Sequence, residues 1–517
     1  MRNVWVPAAA GAFFLVSIMA ACSAADEDGG SGGAGDWDDG YGSSTSKSSG
    51  STSKSGSAGY SASSGGPGSG PGSTGAAQDP TAVFVPAECA ELDSSQPTVL
   101  YVSADDSNSM TSRARAFIQA GDVLAPIRTY EFLNYYKVDY PAPAYPSLGV
   151  HTDLKPSQDA GAYDLQIGVR SFQPISPRRP ITLTFVLDTS GSMDGPRIAR
   201  SRAAIKAMAS QLRAGDVVSA VSWNTENLVL LDGHQVGGPN DPTVVAMANG
   251  LQANGGTDLH AGLVAGYQLA TDNYASNRLN RIVLISDGEA NTGVTDEDLI
   301  ALHSEDADQE GIYMVGVATG PGGNDSLMDV VTDKGRGASI FLDSEAEATE
   351  IFTTRFDEVM EVAARSVQVE LTMPWYFQMK HFYGEEMSTD PTEIEPQHLA
   401  PGDAMVFSQI VRACDPSVVV GSDTIRVRVR WVTPITYLPS ELIVEQSIDE
   451  LVAAPSPALA KGKAIVAYAE ALKLDPDRDD VAAALAGALA AVEAANPNGT
   501  DPDLTEIASL ITQHPAY

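Results

Sequence analysis

Positive charge is what this 517-residue chain most lacks: 31 lysines and arginines stand against 67 aspartates and glutamates, a formal net charge of −36. No basic stripe offsets that balance, which excludes nucleic acid and an anionic lipid surface as partners recruited by charge. Histidine is scarce, and the seven present (151, 234, 260, 303, 381, 398, 514) show no paired zinc spacing. Cysteine is scarcer, with three, at 22, 89 and 414. The apolar stretch from Val4 to Ala21 is interrupted by Pro7 and is short for a membrane span.

Several enzyme signatures are missing too. The Gly-x-Ser-x-Gly string at Gly29 to Gly33 lies in a Gly/Ser-rich tract, where a strand–turn–helix elbow cannot form. The loop Gly320-Pro321-Gly322-Gly323 follows a strand pattern but has neither dinucleotide spacing nor a Walker lysine, and reads as a tight turn.

What is present begins with an address. Arg2, the short apolar core and small residues before Cys22 describe an export signal. Met19-Ala20-Ala21-Cys22 resembles a bacterial lipoprotein box, which implies lipidation at Cys22 and an anchor on the cell envelope, with Ser23 favouring the outer membrane. Export would place Cys89 and Cys414 in an oxidising compartment. They then form either one disulfide or two separate thiols, since sequence does not set their distance. Residues 23–79 are Gly/Ser-rich and cannot bury a core, so they are expected to be a disordered tether with a reach of roughly 40 Å.

The chemistry concentrates at Ile181-Thr-Leu-Thr-Phe-Val-Leu187-Asp188-Thr-Ser190-Gly-Ser192. An apolar run reads as a buried strand delivering one carboxylate and two hydroxyls into the loop at its carboxyl end, where open α/β sheets bind ligands. All-oxygen donors suit a hard divalent cation such as Mg²⁺. Gly255-Gly256-Thr257-Asp258 then precedes an apolar helical pattern (Leu259, Leu263, Val264, Tyr267, Leu269). A second buried-strand pattern, Arg281 to Ser286, ends in Asp287.

In order and placement, Asp188, Ser190, Ser192, Thr257 and Asp287 resemble the metal-ion-dependent adhesion site of von Willebrand factor type A domains. The resemblance implies a doubly wound, mostly parallel α/β sheet. It also implies direct ligation of Mg²⁺ (or Mn²⁺/Ca²⁺) by Ser190 and Ser192. Asp188 and Asp287 would act through water, and Thr257 would change its contact as ligand arrives. The implied partner is a protein presenting an Asp or Glu carboxylate, and the implied role is a non-enzymatic docking contact.

Two other readings compete. Asp188 at a strand end is also similar to haloacid dehalogenase-type phosphatases, Mg-dependent phosphohydrolases, but these need an aspartate where Ser190 stands. Some A-domain proteins serve as accessory subunits of AAA+ chelatase or remodelling systems, which would require a cytoplasmic chain.

Residues 180–362 alternate strand and helix patterns, including a helix over Ala346–Ala363, as an A domain should. Residues 80–179 read as a β-rich extension with a helix, its segment Arg128 to Pro141 resembling that of a bacterial, YfbK-like subgroup. The period shifts to two over 363–455, and 456–517 hold Ala/Leu-rich helices. The expected architecture is the α/β domain flanked by a discontinuous β-rich subdomain and C-terminal helices.

Overall fold

The computed structural model describes residues 87–517 except 104–106, 124–125, 257, 289–310, 321–337, 435 and 476–478. The signal and tether expected before residue 80, with Cys22, lie outside the described residues.

The chain first lays down β1 (Thr98–Val102), α1 (Ser109–Gln119), α2 (Thr129–Tyr135), β2 (Gly149–Pro156) and β3 (Ala162–Arg170). It then builds an α/β unit: β4 (Ile181–Asp188), α3 (Pro196–Gln211), β5 (Val217–Trp223), β6 (Asn227–Gln235), α4 (Pro242–Gly250) and α5 (Leu259–Asp272), continuing through β7 (Leu279–Ser286), β8 (Ile312–Ala318), β9 (Ser339–Phe341), α6 (Glu345–Thr353) and α7 (Phe356–Met360). Its sheet runs β6-β5-β4-β7-β8-β9, parallel except for the antiparallel edge strand β6. β4, β5, β7 and β8 are buried at every position, which is why they read as unbroken apolar runs. One face packs on α3, α4, α6 and α7 through Ile205, Met208, Val244 and Phe352; the other packs on α5 through Val186, Leu263 and Ile282.

The remaining strands are β10 (Ala364–Met373), β11 (Phe377–Phe382), β12 (Met387–Ser388), β13 (Gln397–Leu399), β14 (Ala404–Ala413), β15 (Thr424–Val432) and β16 (Pro439–Ser447). They do not form a unit alone. β1 pairs antiparallel with β10, Leu100 opposite Leu371, and β3 pairs antiparallel with β14, Ile167 opposite Phe407. Two antiparallel sheets, β12-β1-β10-β15-β16 and β11-β14-β3-β2, face each other across a core of Leu165, Ile167, Val369, Phe407 and Val427. The β-subdomain is thus discontinuous, with the α/β unit inserted between its halves. A disulfide joins Cys89 to Cys414 across 325 residues of sequence, tying the first described segment to the end of β14.

Four helices close the chain: α8 (Ile448–Ala453), α9 (Pro457–Leu472), α10 (Val481–Ala495) and α11 (Pro502–Gln513). The last three share a core with α1, α2 and Val406 of β14, including Phe132, Tyr468, Leu485 and Ile507. The single helix expected over Ala346–Ala363 is instead two. α6 ends at Thr353, the chain turns at Thr354–Arg355, and α7 ends at Met360, because Ala364 already opens β10.

The α/β unit is laced to its surroundings. Asn108 N–H donates to Ser339 O of β9, and Arg115 pairs with Asp343, Glu347 and Glu506. Arg178 and Asp216, both buried, pair at 2.7 Å, and Asp216 also accepts from the amide of Ile181, fixing where β4 begins.

Candidate functional site

β4 and β7 lie side by side in the middle of the sheet, and their carboxyl ends bring Asp188 and Asp287 together. Asp188 is 1% exposed and both its oxygens are engaged: Oδ1 accepts from the Ser190 amide at 2.9 Å, and Oδ2 accepts from Ser286 Oγ at 2.7 Å. Ser286 in turn accepts from the Gly288 amide at 3.0 Å, which ties the backbone just after Asp287 to Asp188. Nothing in the local sequence marks this serine's role beyond its place next to Asp287. Burial, joined by the nearby charge of Asp287, pushes the Asp188 carboxyl up to about 6 against the hydrogen bonds from Ser286 and Ser190 that favour ionisation. It is ionised at neutral pH in a setting that a neighbouring cation would improve.

Ser190 Oγ and Ser192 Oγ stand 3.0 Å apart in the loop after β4, Ser190 buried and Ser192 half-buried. The next loop is bound to this one: Gly191 N–H donates to Gly255 O at 3.0 Å and Asn254 N–H to Thr189 O at 2.8 Å. Gly255 is required there. Its φ is +77°, and a Cβ would come within 2.8 Å of Thr225 Oγ1. Thr257 itself lies outside the described residues. Asp258 caps α5 by accepting from the Ala261 amide at 3.0 Å. The structure thus brings Asp188, Ser190, Ser192 and Asp287 to one edge.

Sequence reasoning missed Arg197, in the first turn of α3. Its Nη1 donates to Asp287 Oδ2 at 2.7 Å and to Ser192 O at 2.9 Å. A readable signal existed: a cation in a helix's first turn opposes the helix dipole, and such local violations tend to mark sites.

The donor chemistry fits a hard divalent ion: two hydroxyls, two carboxylates and no nitrogen or sulfur ligand among Asp188, Ser190, Ser192 and Asp287. Among the described residues no three His, Cys, Asp or Glu side chains gather as a metal cluster.

A family model for the von Willebrand factor type A domain matches residues 182–354. Those residues are a von Willebrand factor type A domain. The chain is similar to the Escherichia coli protein YfbK, 23% identical over 58% of this chain and 55% of that protein. It is also similar to the Synechocystis protein sll0103, 26% identical over 42% of this chain and 51% of the other. The chain thus spans about half the length of the curated relatives it matches. A solved von Willebrand factor type A structure from Catenulispora acidiphila covers 70% of this chain and 89% of its own at 14% identity, TM-score 0.46. Within the A domain, the serine loop follows the first parallel strand and Asp287 ends its neighbour.

Proposed function

We propose that this chain is a divalent-cation-dependent protein-binding module held at the bacterial cell envelope. The observation that carries the reading is the meeting of two buried aspartates with two serine hydroxyls at the carboxyl edge of the A-domain sheet. Mg²⁺, Mn²⁺ or Ca²⁺ would be held by Ser190 and Ser192, with Asp188, Asp287 and Thr257 around it. An ion with so little direct anionic ligation seeks an outside oxygen, and a partner's Asp or Glu carboxylate supplies one. A chain of net charge −36 repels an acidic partner at long range, so the partner's contact face is acidic only locally and the ion offsets the repulsion. Lipidation at Cys22 would anchor the module, most simply on the outer membrane.

Calorimetric titration of the purified chain with Mg²⁺ and Mn²⁺ tests the site. Wild type is expected to bind one ion, while Asp188→Ala and Ser192→Ala lose binding with their circular dichroism unchanged. Unchanged affinity in both variants removes the site assignment. A pull-down from envelopes in Mg²⁺, repeated in EDTA, tests the role: capture indifferent to EDTA overturns metal-dependent adhesion. Phosphatase turnover that vanishes in Asp188→Asn would favour the hydrolase instead.

A further inference from the structure

One positive charge is already built into the A-domain site. Arg197 follows Pro196 at the start of α3, and its side chain is 24% exposed while that of Asp287 is sealed from solvent. Through one nitrogen it bonds both the Ser192 carbonyl oxygen in the first site loop and the Asp287 carboxylate at the end of β7. The guanidinium is wedged rather than draped: a Cβ on Gly320 would sit 2.6 Å from Arg197 Nε. One turn along the helix, Arg200 Nη1 donates to Thr319 O at the end of β8, 2.8 Å away. The first two turns of α3 thereby grip the loops after β4, β7 and β8.

We propose that Arg197 is the resident counter-cation of this site, paired with Asp287 when no divalent ion is bound and competing with that ion for the same carboxylate. The inference rests on reading the edge as a divalent-cation site. A carboxylate that closely pairs a guanidinium has less charge to offer an ion, and the fixed positive charge repels a doubly charged neighbour across a few ångströms. The pair also explains why two aspartates are tolerated side by side in a buried place without metal. Loading the site then exchanges one cation for another. Affinity is set low by design, and the edge keeps its shape in either state because Arg197 retains its bond to the Ser192 carbonyl.

The test compares the full-length wild type with Arg197→Gln and Arg197→Lys, reading Mn²⁺ affinity by calorimetry and melting temperature in EDTA. Competition requires Arg197→Gln to bind Mn²⁺ at least tenfold more tightly and to melt lower than wild type without metal. A variant that is unfolded in EDTA and recovered by Mn²⁺ supports the exchange equally. If Arg197→Gln does not fold at all, Arg197→Lys decides, because a lysine keeps the charge but pairs less well: tighter binding than wild type supports the proposal, and equal or weaker binding overturns it. Equal or weaker Mn²⁺ binding by a folded Arg197→Gln overturns competition and leaves Arg197 as a strut between loops, with the metal site intact. Absence of Mn²⁺ binding in wild type and both variants overturns the metal-site reading itself.

Discussion

Where no arginine pairs with it, a buried aspartate in this acidic chain can be a charge that burial destabilises or one that backbone amides satisfy. Asp188 is the first kind. Asp241, at the start of α4, is the second: Oδ1 accepts from the amides of Thr243 and Val244 and meets His234 Nε2 at 2.9 Å, while Oδ2 accepts from the Gly237 amide. Burial works to raise its pKa, but these bonds prevail and hold it down at about 2. A folded value below the unfolded one means stability that is fully present above about pH 4 and lost as pH falls through 2. Asp241→Ala should therefore cost about 1–2 kcal/mol at pH 7, and its deficit against wild type should shrink between pH 4 and 2. Urea melts across that range check it; a deficit that stays constant refutes it. At this scale the site was legible where its residues share a loop, as Asp188, Ser190 and Ser192 do. Ser286 was not, because its role is a contact across loops that no local spacing encodes; for Arg197 only its place in a helix's first turn was legible, and its contact with Asp287 was not.

The strands of the A domain were the easiest elements to read and the edge strands the hardest. β4 or β8, buried on both faces, spells itself as an apolar run, whereas β2 and β16 are half-wet strands, Gly-Val-His-Thr-Asp-Leu-Lys-Pro and Pro-Ser-Glu-Leu-Ile-Val-Glu-Gln-Ser, with too few apolar residues on the inner face to stand out in the sequence. The break between α6 and α7 was invisible because apolar spacing continues through it. Helix α5 shows what spacing alone conceals. Gly266 and Gly262 face β4 and β5 so closely that a Cβ would reach 2.2 Å from Val186 Cγ2 or 2.7 Å from Trp223 Cδ2. Two opposed effects decide Gly266→Ala. Better helix propensity adds about 1 kcal/mol, and overpacking a rigid strand methyl costs about 1–3 kcal/mol. The clash should win, giving net destabilisation in urea melts. Gly487→Ala in α10, exposed and with open space around it, should instead stabilise by about 0.5–1 kcal/mol. If both substitutions stabilise, the close seating of α5 is wrong.

For the whole molecule, the change of period after the A domain marked where it ends, while the pairing of β1 with β10 and β3 with β14, which makes the A domain an insertion, became visible only in three dimensions. Long-range pairing between chemically similar strands has no local signature. The Cys89–Cys414 bridge closes that discontinuous unit, and replacing both cysteines with serine should lower stability by about 2–5 kcal/mol. The loss should fall on the β-subdomain, so calorimetry should show its transition moving down; an unchanged thermogram refutes the contribution. Insertion also fixes how force would travel. β4 receives the chain at Ile181, beside the Arg178–Asp216 pair, and presents the serine loop seven residues later at its other end. If a partner pulled on that loop while the chain were held on its Cys89 side, β4 would be strained along its own axis. β5 and β7 hold it in parallel register on both flanks, from Thr182 opposite Val217 and Ile181 opposite Leu279 onward. The ladder bonds on both sides would then be loaded together in shear, and the central strand would carry tension from that loop into the sheet.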